Sequence, residues 1–78
     1  MTIYIATLYR FGYDLTAAGL SEQEARDTVI TAYIKAFKDL NNGADPSEGE
    51  RYDGETYLSM AVEDVEIREF TPGEVQWL

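Results

Sequence analysis

The chain contains no cysteine and no histidine. Without cysteine it has no disulfide, no thiolate metal site and no thiol nucleophile. Without histidine it lacks an imidazole base and the commonest metal ligand, so Ser21 and Ser59 have no histidine to activate them as nucleophiles. Bases are scarce: six Lys and Arg stand against 15 Asp and Glu, a net charge of −9. Phosphate contacts need clustered Lys and Arg, which argues against direct binding to DNA, RNA or an anionic membrane. Apolar runs are only a few residues long, far short of the ~18 that span a bilayer. The six glycines match neither G-x-G-x-x-G nor a Walker loop. The start, Met1-Thr2-Ile3-Tyr4-Ile5, lacks the basic and apolar regions of a signal peptide, so the expected location is the cytoplasm. No cofactor is implied.

What is present suits a small folded domain. At 78 residues the chain is one domain, and a domain this size buries only roughly 60% of its unfolded surface. A hydrophobic content of 45%, with six Tyr, three Phe and one Trp, argues for a core rather than disorder. The charge is lopsided. Residues 1–40 carry Asp14, Glu22, Glu24, Asp27 and Asp39 against Arg10, Arg26, Lys35 and Lys38, a net −1. Residues 41–78 carry ten acids against Arg51 and Arg68, a net −8.

Residues 2–10 are rich in β-branched and aromatic residues and predict a strand. Ile3, Ile5 and Thr7 share one face, and Tyr4, Ala6 and Leu8 the other. Both faces are apolar, which suits a central strand. Phe11-Gly12 predicts a turn, and residues 13–18 a returning strand with Tyr13, Leu15 and Ala17 on one face; a helical turn from Asp14 to Ala18 is the competing reading. Ser21-Glu22-Gln23-Glu24 matches a capping box. Ala25, Val29, Ala32, Tyr33, Ala36, Phe37 and Leu40 then recur at helical spacing, predicting an amphipathic helix over 22–40. Glu22–Arg26 and Lys35–Asp39 are i,i+4 pairs, and Asn41-Asn42-Gly43 is the stop signal. Ile30 and Ile34 widen the apolar arc and call for a cover, either from the second half of the chain or from a partner.

Residues 41–54 form an acidic loop punctuated by glycine and proline; its length marks it as functional or disordered. A short helix is expected over 55–63 and a strand over 65–70. Thr71-Pro72-Gly73-Glu74 has the type II turn pattern, and 75–78 would close a second hairpin. The predicted fold is α+β: an antiparallel β-sheet with one long amphipathic helix packed on one face, in the order ββα, short α, ββ. The expected core is Ile3, Ile5, Leu8, Leu15, Ala25, Val29, Tyr33, Phe37, Leu40, Leu58, Val65, Ile67 and Trp77.

No catalytic pair or metal motif emerges. Counted from Asp45, an EF-hand loop needs glycine at its sixth place and glutamate at its twelfth; the chain has Glu50 and Thr56 there. An irregular site from Asp45, Glu48, Glu50 and Asp53 is the weak metal-binding alternative. No two acids are placed in a cleft for general acid–base work, so an enzyme is not expected. The acids have three readings: a solubilising surface, a docking face for a basic protein, or a mimic of nucleic-acid phosphates that fills the groove of a DNA- or RNA-binding enzyme. The candidate interaction face is Glu48, Glu50, Tyr52, Asp53, Glu55, Glu66, Glu69 and Glu74, with Tyr52 as the exposed aromatic. The expected state is a monomer or weak homodimer.

Ala18-Gly19-Leu20-Ser21 followed by Glu22-Gln23-Glu24-Ala25 resembles the strand–Gly–x–Ser/Thr–x–x–Glu–Ala–helix start of HicB-type antitoxins. The likeness covers about a third of the chain, and the acidic second half has no counterpart in it. In style the whole chain is similar to short acidic proteins of bacterial conjugative elements and phages. That resemblance implies an accessory role and nothing about mechanism; the expected function, that of a non-enzymatic accessory protein that binds another protein, stands apart from it.

Overall fold

The structure is a computed structural model that describes residues 2–10, 12–48 and 54–71. The order is β1 (Ile3–Arg10), β2 (Tyr13–Gly19), α1 (Glu22–Leu40), α2 (Tyr57–Glu63) and β3 (Glu66–Phe70). Among the described residues the strands form one antiparallel sheet in the order β2-β1-β3. This is the α+β arrangement that the sequence predicts, with β1 central. Gly12 has a φ of +85° where β1 turns into β2, so the hairpin reading holds over a helical turn. The fourth strand expected at 75–78, its turn from Pro72 and Trp77 lie outside the described residues.

Alternation along β1 decides the two sheet faces. Ala6 and Leu8 are fully buried and pack with Ala25, Val29, Tyr33 and Phe37 of α1 and Ala61 of α2. Tyr4, Tyr13, Leu15, Ala17 and Ile67 flank this cluster. Both helices therefore cover the face of even-numbered β1 residues. Ile3, Ile5, Thr7 and Tyr9 point to the opposite face, beside Asp14, Thr16 and Ala18 of β2 and Glu66, Arg68 and Phe70 of β3. Ile3 and Ile5 are half-buried there, a correction to their place in the expected core.

The long helix starts where Ser21 Oγ accepts from the Glu24 amide at 3.1 Å. The return bond differs from a capping box: the Glu24 carboxylate accepts from the Leu20 amide at 3.3 Å, one residue upstream of the cap. A reciprocal box is present instead at α2, where Thr56 and Ser59 bond each other's amides. Gly19 is buried, and a Cβ placed on it would lie 2.5 Å from the Ala25 nitrogen, so glycine is what lets α1 settle onto the end of β2. At the other end Asn41 caps α1, its side-chain amide donating to the Phe37 carbonyl at 2.8 Å. Leu40 is 74% exposed rather than in the core. The C-cap still reaches the sheet, where the Asn41 side-chain amide donates to the Tyr13 hydroxyl at 3.4 Å. The expected i,i+4 pairs are also not among the ion pairs of the described residues, which are Arg10–Asp64 and Lys38–Asp45.

The described part of the acidic loop is pinned. Asp45 accepts from the amide and hydroxyl of Ser47 and faces Lys38 at 3.7 Å. Pro46 is fully buried and its carbonyl accepts from the Leu58 amide at 2.9 Å. Ile30 is half-buried against the core, which Leu58, Val65 and Ile67 of the second half also flank.

Candidate protein-binding surface

β3 is shorter than β1, and this difference builds the site. Among the described residues the β1–β3 ladder runs from Thr7–Glu66 to Ile3–Phe70, so Leu8 and Tyr9 lie beyond its end. The chain leaves α2 through Asp64 and enters β3 at Glu66, passing beside that end of β1. Thr7, Tyr9, Asp64 and Glu66 line a concavity of about 320 Å³ there. Its rim is aromatic, for Tyr9 is 75% exposed.

Arg10 points to the helix side of β1 and ties this corner together. Its guanidinium donates to Asp64 at 2.9 Å and contacts the Met60 sulfur at 3.5 Å. Asp64 is thereby oriented and largely neutralised. Glu66 takes part in none of the ion pairs among the described residues and is exposed. The concavity thus offers a carboxylate outside the ion pairs of the described residues, a fixed one, a hydroxyl and an exposed phenol. These suit a guanidinium or ammonium group, which carboxylates bond strongly and an aromatic face attracts.

Two titratable groups outside the concavity are shifted, and each has a structural cause. Burial raises the Tyr33 phenol above its ordinary value, with the Tyr13 and Tyr57 phenols adding to it. Its hydroxyl donates to the Tyr57 carbonyl at 3.4 Å, and its ring meets Tyr13 edge-on at 5.3 Å. The Ser47 hydroxyl and amide hold the Asp45 carboxyl below its ordinary value, with Lys38 assisting. Asp45 is therefore committed to its own turn, which weighs against its use as a metal ligand. Among the described residues no group of three or more acids is arranged to hold a metal ion.

The expected interaction residues are only partly brought together. Glu66 lines the concavity. Glu69 lies opposite Tyr4, on the helix side of the sheet. Glu48 is exposed in the loop and Glu55 half-buried before α2. Glu50, Tyr52, Asp53 and Glu74 lie outside the described residues. Sequence reasoning missed Tyr9 and Asp64. Tyr9 follows Ile3, Ile5 and Thr7 at period two, which marks its face; that it overhangs β3 depends on where a strand nearly sixty residues away begins. No helix among the described residues is long and apolar enough to cross a membrane. No protein-family model matches the chain, and neither curated proteins nor solved structures provide a match.

Proposed function

We propose that the chain is a non-enzymatic accessory protein, of the kind carried by bacterial mobile elements, that works in the cytoplasm by binding a basic protein. The acidic half attracts the partner over a distance, and the concavity of Thr7, Tyr9, Asp64 and Glu66 receives one of its Arg or Lys side chains. The observation that carries this reading is Tyr9: an aromatic ring 75% exposed at the mouth of a concavity lined by two carboxylates. Exposed aromatics beside charge are the usual anchors of protein interfaces.

The test is a pull-down from bacterial lysate at stepped salt, with wild type, Tyr9→Ala and Glu66→Gln as baits. A basic protein held by wild type, released by moderate salt and lost from both variants supports the reading. Equal retention by all three baits sinks it. Retention of nucleic-acid enzymes that free nucleic acid displaces would point to phosphate mimicry instead.

A further inference from the structure

We infer that the outer edge of β2 is a self-association surface, through which two copies of this chain join their sheets antiparallel about Thr16. Among the described residues β2 pairs only with β1. Arg10 and Tyr13 close a hairpin with a two-residue connection, and in such a hairpin the closing pair exchanges hydrogen bonds. The N–H and C=O of Tyr13, Leu15, Ala17 and Gly19 therefore point to β1, and those of Asp14, Thr16 and Ala18 point outward. Natural edges are usually blunted by proline, lysine or a bulge. The β2 sequence Tyr-Asp-Leu-Thr-Ala-Ala-Gly has no proline or lysine, and its register with β1 is unbroken.

The strand is self-complementary about Thr16. Antiparallel pairing there puts Thr16 opposite its own copy and Asp14 opposite the partner's Ala18. The two Asp14 carboxylates never face each other, and about six backbone hydrogen bonds form. Charge selects the same edge. Copies of a −9 chain repel, and this edge belongs to the half whose net charge is −1, while β3, from the −8 half, lies on the far side of β1.

The helices fit as well. α1 packs on both β2 and β1, and a dyad perpendicular to the joined sheet keeps both copies of α1 on the same face, side by side. Ile30, one position after Val29, is half-buried against the core. The opposite flank, one position before the buried stripe, carries Thr28, Ala32 and Ala36, small enough for close approach. A strand ~24 Å long, over a domain 20 Å deep in its shortest extent, presents ~480 Å² per copy. That is roughly 1,000 Å² in total, which places the dimer in the weak class.

The experiment is sedimentation velocity on the full chain between about 10 µM and about 1 mM, with amide hydrogen exchange at both concentrations. The dimer is expected to grow with concentration and with salt, as the Debye length falls from roughly 14 Å to roughly 4 Å and repulsion is screened. Binding of a basic partner weakens under the same change. In the dimer the Asp14, Thr16 and Ala18 amides should exchange at least about fivefold more slowly, because they become bonded. Thr16→Pro removes an outward N–H and should abolish both effects. Thr16→Lys, which sets two lysines opposite each other, decides the matter if the proline variant fails to fold. A monomer throughout, a dimer with these amides unprotected, or a folded variant that dimerises like wild type overturns the inference.

Discussion

Gly19→Ala is the sharpest probe of how the helix is seated on the sheet. An alanine Cβ would stand 2.5 Å from the Ala25 nitrogen and 3.0 Å from the Glu24 carbonyl carbon. Both are backbone atoms, so no side chain can rotate away. The first turn of α1 must move by about 1 Å to restore ordinary contact. Overpacking of this kind costs ~1–3 kcal/mol, and the upper end applies because backbone opposes backbone. Moving the turn also disturbs the Ser21 cap, worth ~1 kcal/mol, for a total of ~3–4 kcal/mol. A domain this size has only ~4–12 kcal/mol of stability. Thermal unfolding followed by circular dichroism should show a Tm lower by ~12–25 °C. Gly12→Ala is the control, since nothing lies within 4 Å of its Cβ and only its φ of +85° opposes the change. That conformation costs ~1–2 kcal/mol, hence a smaller drop. A Gly19→Ala protein that melts within about 3 °C of wild type, or above the Gly12→Ala protein, would refute the close-approach argument.

Tyr33 gives a pH prediction. Its folded pKa lies above the unfolded value of 10.0 because burial disfavours the phenolate. The fold then holds the proton more tightly than the unfolded chain, and stability falls as pH rises past about 10. Urea unfolding at pH 8 to 11 should show this loss, and Tyr33→Phe should reduce it. Asp45 acts in the opposite sense: its lowered pKa means that its support for the 41–48 turn is present above the ordinary value of 3.8 and fades below it, and faster amide exchange at Ser47 in acid would report this. Thr56→Ala removes the α2 capping box and should cost ~1 kcal/mol; an unchanged midpoint in urea would show that α2 is held by packing alone.

Much of the front half was legible because its signals are local. The helix cap, the stripe of Ala25, Val29, Tyr33 and Phe37 and the alternation in β1 each operate within a turn or a pleat. The errors fall where contacts between distant segments decide. Leu40 continues the stripe yet is 74% exposed. Ile3 and Ile5 are as apolar as Leu8, yet period two puts them on the face without helices. Pro46, in a polar run, is buried because Leu58 returns to bond its carbonyl. The candidate site is the least legible part. Glu66 reads as a strand acid, but its neighbours Thr7, Tyr9 and Asp64 are assembled only by the register of β3 on β1.

An amide NMR titration of the labelled chain with a short Arg/Lys peptide shows whether Thr7, Tyr9, Asp64 and Glu66 receive a basic side chain. Binding there gives shifts centred on these four residues that saturate, shrink with salt and weaken at least about fivefold in Glu66→Gln, the loss expected for a charge-assisted hydrogen bond worth ~1–2 kcal/mol. Shifts spread evenly over the acidic residues, or absent from these four, rule that binding site out.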